Sequence, residues 1–238
     1  MQKQVYMADD EPNIRNLVKA FLEKEDFLVE TFEDGDLLFN AFNQKKCDLV
    51  ILDIMMPGNS GLVVCAKLRA ISDVPIIMLT AKDTEEDYIL GLSLGSDDYF
   101  TKPFSPVKLT MRVKAMLRRV DMYVQKSVDK NEVMFDDVII LPDKLTAYCN
   151  GTMLNLTKME FNLLMYLLDN KDKAVSRQEL LNTIWGYDSI IESRATDDTV
   201  KRLRRKLDEA NSNVSIDTVW GFGFKIGSKA EKVAGENK

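Results

Sequence analysis

The sequence contains no histidine. That removes zinc sites built on imidazole, Ser-His-Asp and Cys-His catalysis, and any phosphohistidine carried by this chain. Cysteine is scarce too: Cys47, Cys65 and Cys149 are odd in number, far apart and without a CxxC pair, which fits reduced core thiols and not a disulfide framework. Eleven glycines and six prolines are too few for a disordered or fibrous chain. No apolar run approaches the roughly 18 residues of a membrane helix, and no basic, apolar leader opens at Met1, so the chain is expected in the cytoplasm. Positive charge is not in excess either. The net charge is -6, with 15 basic and 19 acidic residues up to Val120 and 17 and 19 beyond it. Any nucleic-acid binding must therefore come from a local patch, acting within about a Debye length.

What is present is a 238-residue chain, 45% hydrophobic and 29% charged, long enough for two domains. The first half alternates short apolar runs with helical patterns. Val5–Ala8 precedes a helix over Pro12–Lys24, and Leu28–Phe32 precedes one over Asp36–Gln44. Asp48–Ile54, Pro75–Thr80 and Asp98–Thr101 are further strands, followed by Leu62–Arg69, Glu85–Leu94 and Ser105–Arg119. Five such βα units make a parallel sheet covered on both faces, with its ligand site at the carboxyl ends of the strands. Residues 121–131 are polar and aperiodic and read as a linker between domains at 1–120 and 132–228, with a loose tail at 229–238. In the second domain, turns at Pro142-Asp143 and Asn150-Gly151 imply a small antiparallel sheet. Thr157 with Glu160, and Ser176 with Glu179, are capping-box signatures opening helices Lys158–Asp169 and Arg177–Trp185. A third helix over Arg194–Ala210 and a hairpin over Ile216–Ile226 complete a winged helix-turn-helix pattern.

The βα scheme brings Asp9, Asp10, Asp53, Thr80 and Lys102 to one edge of the first sheet. Three carboxylates clustered there would repel one another unless a cation sits among them, and an all-oxygen site suits Mg2+. Asp53, at the tip of the central strand, is the candidate nucleophile. Attack on phosphorus would form an acyl phosphate, with Mg2+ and Lys102 neutralising the transferring oxygens and the Thr80 hydroxyl donating to one. Any one of these residues alone is more often a cap or a solvated side chain; the coincidence of five decides the reading. A phosphatase of the haloacid-dehalogenase type would want an Asp where Met55 stands, and no glycine-rich GxGxxG follows the first strand.

Ala8-Asp9-Asp10-Glu11, Leu52-Asp53-Ile54-Met55-Met56-Pro57-Gly58, Leu79-Thr80-Ala81, Gly95-Ser96-Asp97-Asp98-Tyr99 and Thr101-Lys102-Pro103-Phe104 resemble the receiver of a two-domain response regulator of the OmpR/PhoB type. Leu156-Thr157-Lys158-Met159-Glu160-Phe161, Val175-Ser176-Arg177, Trp185-Gly186, Leu203-Arg204-Arg205-Lys206-Leu207 and Thr218-Val219-Trp220-Gly221-Phe222-Gly223-Phe224 resemble the effector domain of that family. The resemblance implies an α/β, (βα)5 flavodoxin-like receiver and a C-terminal winged helix-turn-helix domain. It implies that Asp53 is phosphorylated by a partner histidine kinase and that Asp9, Asp10, Asp53 and the Met55 carbonyl ligate Mg2+. It further implies that Thr80 and Lys102 contact the phosphoryl group, that Tyr99 is the switch aromatic, and that the Lys102-Pro103 bond is cis.

In the third effector helix, Val200, Leu203 and Leu207 define a buried stripe, so Arg194, Asp198, Lys201, Arg202 and Arg205 are expected on the opposite, basic face. By resemblance Arg202 matches a base-reading position. Arg194, Thr199, Lys201 and Arg205 are groove or phosphate contacts on double-stranded DNA, and Lys225 a wing contact. Asp198 stands where many relatives are apolar and is read chiefly as an i,i+4 partner of Arg194 and Arg202, with acceptance from a cytosine amino group as the alternative. Trp220 replaces a wing arginine of some relatives and is expected to pack at the base of the hairpin.

The resemblance also implies a homodimer formed on activation through the fourth helix, fifth strand and fifth helix of the receiver, on direct-repeat DNA. Asp97, Asp98, Arg112, Arg118 and Arg119 would supply its charges, with Ile89, Leu92 and Met111 its apolar centre. Tyr88 and Lys108 replace one customary ion pair, which implies a weaker or differently specified dimer. The chain thus reads as a phosphorylation-controlled transcription regulator and not an enzyme. The other reading is a phosphate-independent DNA-binding regulator with a vestigial receiver.

Overall fold

The computed structural model describes residues 2–81, 95–126, 132–186 and 195–229, and in 119–126 the backbone alone. The chain divides into two compact units, Met1–Leu117 and Arg118–Lys238. None of the described helices is long and apolar enough to cross a membrane.

In the first unit, β1 (Gln4–Ala8), β2 (Leu28–Phe32), β3 (Leu49–Asp53), β4 (Ile76–Ala81) and β5 (Asp98–Lys102) form a parallel sheet of order β2-β1-β3-β4-β5. β1 and β3 are buried along their whole length, as strands covered on both faces must be. The covering helices are α1 (Pro12–Glu23), α2 (Gly35–Gln44), α3 (Gly61–Arg69) and α4 (Pro106–Lys126). Pro12 opens α1, where its missing N–H costs nothing, and the Asp34 carboxylate caps α2 by accepting from the Leu37 N–H at 2.8 Å. The expected helix over Glu85–Leu94 lies outside the described residues. The order of strands reverses between β1 and β3, so a crevice opens at their carboxyl ends, flanked by Ala8 opposite Leu52.

One expectation needs correcting. α4 continues to Lys126, through more than half of the segment read as a linker. Residues 121–126 contain no glycine or proline, and Met122, Gln125 and Lys126 are good helix formers, so polarity alone does not end a helix there.

In the second unit, β6 (Val133–Phe135), β7 (Val138–Leu141), β8 (Thr146–Cys149) and β9 (Thr152–Leu154) form an antiparallel sheet. Asn150 and Gly151, both at positive φ, make the β8–β9 turn. Three helices follow: α5 (Lys158–Asp169), α6 (Arg177–Leu180, continued by a wider turn over Leu181–Trp185) and α7 (Ala195–Glu209). The Thr157–Glu160 capping box is complete, whereas at Ser176 only the half in which its hydroxyl accepts from the Glu179 N–H is present. β10 (Val175–Ser176), β12 (Gly223–Ser228) and β11 (Val214–Val219) form a second sheet in that order, and β11–β12 is the terminal hairpin. Trp220 is 92% exposed at its turn. It is not core packing as expected, because the strands end at Val219 and resume at Gly223, leaving the side chain on the projecting tip.

All three cysteines are free, Cys65 and Cys149 buried, and burial pushes the Cys47 thiol up to about 12. The Lys102-Pro103 bond is cis.

Gly61 sets how closely α3 approaches the end of β3. A Cβ there would lie 2.0 Å from the Asp53 carbonyl oxygen and 2.8 Å from its carbon. Gly61→Ala is therefore expected to destabilise the first unit by about 2 kcal/mol through overpacking against backbone, which denaturant melting followed by circular dichroism would measure.

Candidate functional site

The carboxyl edge of the parallel sheet gathers charge. Asp9 follows β1, Asp53 closes β3, and both are buried, while Asp10 is exposed. Asp9, Asp10 and Asp53 each bring a carboxylate oxygen within 4.8 Å of the others. Lys102, from the end of β5, places its Nζ 2.8 Å from Asp53 Oδ2, 2.9 Å from Asp9 Oδ2 and 3.2 Å from Glu11 Oε1. Burial alone would lower the Lys102 pKa, but its hydrogen bonds to Asp53 and Asp9 outweigh that and hold it raised, so the ammonium stays charged. Burial pushes the Asp53 carboxyl up, and the Lys102 bond offsets only part of this. One ammonium does not balance three aspartates and Glu11. An all-oxygen donor set with surplus negative charge fits Mg2+, with water completing its shell.

The backbone of this loop is held from two sides. The Glu11 N–H donates to Asp9 Oδ1 at 2.9 Å, and Arg15 Nη1 donates to the carbonyls of Asp9 and Asp10 at 2.6 and 2.9 Å. The Met55 N–H reaches Asp53 Oδ1 at 3.4 Å. Thr80, buried at the end of β4, donates to the Ala81 carbonyl at 3.0 Å. Tyr99 is half-buried and packs against the core cluster containing Ile54, Met56 and Leu62. Glu11 was quoted in the first motif without a role, and Arg15 escaped the motif reading; the signal for Arg15 was its position five residues beyond the acidic pair.

The basic helix α7 differs from its expected face. Val200, Leu203 and Leu207 are buried as its stripe requires, and Lys201 and Arg205 are exposed. Arg202, however, is 5% exposed: its Nε donates to Glu160 Oε1 at 3.1 Å and its Nη2 to Thr199 Oγ1 at 3.1 Å. Thr199 is fully buried, and its hydroxyl donates to the Ala195 carbonyl at 2.8 Å. Arg202 does not lie on the open face where it was placed, and Thr199, read as a groove or phosphate contact, is buried. A helix has 3.6 residues per turn, so position 202 adjoins the buried stripe and 199 lies within it. Lys206 Nζ also reaches Glu160, at 2.6 Å. Asp198 is half-buried, and Arg202 pairs with Glu160. Lys225 is exposed on β12, and Arg194 lies outside the described residues.

Residues 5–114 match the response regulator receiver domain, and residues 151–226 match the C-terminal domain of transcriptional regulatory proteins. The uncharacterised transcriptional regulatory protein YclJ of Bacillus subtilis is 40% identical over 223 residues, covering 93% of this chain and 98% of that protein. PhoP, the alkaline phosphatase synthesis transcriptional regulatory protein of Bacillus subtilis, is 40% identical over 233 residues, covering 95% and 97%. The chain belongs to the OmpR/PhoB family of response regulators. A solved structure of a RitR variant aligns with a TM-score of 0.78 at 25% identity, covering 95% of this chain and 99% of that one. This response regulator thus joins a receiver to an OmpR-type DNA-binding domain.

Three of the charges expected at the dimer surface of this response regulator are buried and have partners within the chain. Asp97, 2% exposed, pairs with Arg69 and accepts from the Ile76 N–H at 2.9 Å. Asp98 pairs with Arg112 at 3.2 Å, both nearly fully buried, and the Arg112 guanidinium lies 5.8 Å from the Phe100 ring centre. These groups neutralise one another inside the monomer because β5 and α4 bring them face to face. Met111, 57% exposed, and Arg118 remain on the surface. Tyr88, Ile89 and Leu92 lie outside the described residues, as does the Arg119 side chain.

Glu160 is a buried negative group that pairs with both Arg202 and Lys206. Burial would raise its pKa, but those two cations together hold it below its ordinary 4.5. It therefore adds stability above pH 4.5, and that contribution drains as acid takes the solution through the lower folded value. Glu160→Gln is expected to cost the second unit about 3 kcal/mol at pH 7 and to flatten its acid limb, which urea midpoints measured between pH 7 and pH 3 would test.

Proposed function

We propose that the protein is a phosphorylation-controlled DNA-binding transcription regulator, with Asp53 accepting a phosphoryl group from the phosphohistidine of a partner histidine kinase. One observation carries the reading: the Lys102 ammonium lies within 3 Å of both Asp53 and Asp9 at an edge where three carboxylates converge. Asp53 attacks phosphorus in line as the donor's P–N bond breaks. Asp9, Asp10, Asp53 and the Met55 carbonyl would hold Mg2+, which would supply positive charge to the transferring oxygens. Lys102 exchanges its Asp53 contact for a phosphoryl oxygen while keeping Asp9. Thr80 leaves the Ala81 carbonyl to donate to another oxygen, and Tyr99 settles inward over the space so vacated.

The dimer formed on activation uses the surface around β5 and α4, with Met111 and Arg118 as its exposed members among the described residues. It places two effector domains on direct-repeat DNA, where Lys201 and Arg205 from α7, with Arg194, meet the groove and its phosphates, and Lys225 meets the backbone from the hairpin. Because Asp97, Asp98 and Arg112 are engaged internally and one customary ion pair is replaced at Tyr88 and Lys108, this dimer is weaker than one held by a full set of cross-protomer pairs.

Incubation with acetyl phosphate and Mg2+ should add one labile phosphoryl mass to the wild type, none to Asp53→Ala, and none to either when the metal is chelated, as read by intact-mass spectrometry. DNA binding should tighten with the adduct. An unmodified protein that binds DNA equally well with and without the donor would point to a phosphate-independent regulator. Sedimentation of the phosphorylated protein should show a monomer–dimer equilibrium at micromolar concentration.

A further inference from the structure

The recognition helix and the hairpin wing touch DNA at different places, so their relative position decides whether both engage at once. Four side chains outside the DNA-facing set control that position. Arg177, the first residue of α6, donates through Nε and Nη2 to both carboxylate oxygens of Asp197, at 2.9 to 3.1 Å, in the first turn of α7. Its backbone N–H donates to the Phe222 carbonyl at 3.1 Å, in the wing turn. Its guanidinium also lies 4.7 Å from the centre of the Phe224 ring on β12. A second arginine, Arg204 of α7, lies 5.7 Å from the centre of the same ring and donates to the Ile216 carbonyl at 2.7 Å and Thr218 Oγ1 at 3.0 Å, both on β11. The wing is pressed against the start of α6 as well: a Cβ on Gly223 would lie 1.9 Å from the Val175 carbonyl oxygen.

A forked guanidinium fixes direction as well as distance, because its two parallel bonds resist rotation. Phe224 serves both arginines as a shared platform, and the first turn and the middle of α7 are thereby tied to the same hairpin. We propose that the Asp197–Arg177–Phe224–Arg204 cluster is a clamp that sets the angle between recognition helix and wing, and that Arg177 is a positioning residue for sequence-specific DNA binding and not a phosphate contact. The inference rests on DNA binding by α7 and the hairpin.

The test exploits charge. Arg177→Ala removes a positive charge and Asp197→Asn a negative one, so a direct electrostatic role moves their DNA affinities in opposite directions, whereas a clamp makes both lose in the same way. The probes are a duplex selected by the full-length wild type from a random library and a random-sequence duplex of equal length. Both variants are expected to lower the ratio of selected to random binding about tenfold, with the slope of log K against log salt unchanged, at temperatures well below each variant's melting point. Arg177→Lys, which keeps the charge without the fork, should lose nearly as much.

Opposite shifts in the two variants, with the salt slope falling by about one in Arg177→Ala, would overturn the clamp in favour of a phosphate contact. An unchanged ratio in both would overturn it in favour of a purely structural role. Failure of the wild type to select any duplex would overturn the DNA-binding reading itself, and the clamp with it.

Discussion

Repulsion among carboxylates governs this receiver. Three aspartates are brought to the ends of buried strands, where their like charges repel, and Lys102 sets its ammonium within 3 Å of two of them. Much of the surrounding architecture can be read as support for that contact. The β1–β3 switch point supplies the crevice, Arg15 gathers the two carbonyls of the acidic loop, and the bare Cα of Gly61 lets α3 close over the Asp53 backbone. A site short of positive charge in this way has the donor set and the charge that suit a divalent cation.

The effector half solves the reverse problem. α7 carries more cations than a helix can present to solvent on one face, and one buried carboxylate, Glu160, gathers two of them. Because Glu160 also completes the capping box of α5, the start of one helix and the middle of another are joined through a single side chain. The positive charge left outside is accordingly smaller than the composition of α7 indicates. Removing Glu160 takes the buried carboxylate from both Arg202 and Lys206, which makes this a folding interaction even though the two cations have the appearance of a DNA-binding surface.

What was legible in the sequence and what was not divide along physical lines. The βα rhythm, the strand-end carboxylates and Lys102, the winged-helix order and the Thr157 cap were all readable, because each depends on periodicity or on residues at the ends of elements. The errors involve side chains whose partners come from elsewhere in the chain. Arg202 was placed on the open face because helical spacing cannot reveal Glu160, 42 residues away. Asp97, Asp98 and Arg112 were assigned to a surface because nothing local shows that Asp97 meets Arg69 of α3 or that Asp98 meets Arg112 of α4. Residues 121–126 were taken for a linker on polarity, although they hold no helix breaker. Trp220 was sent to the core on hydrophobicity alone, when the length of the turn decides its place.

The two tryptophans give this chain an uneven optical character. Both belong to the effector half: Trp185 is wholly buried, and Trp220 stands 92% exposed at the tip of the hairpin. One indole is shielded from water and the other open to it, so their emission separates in wavelength and only the second is within reach of a dissolved quencher. The receiver contains none and is silent in this channel. Tryptophan emission from this chain therefore reports on the effector half alone, without any added label.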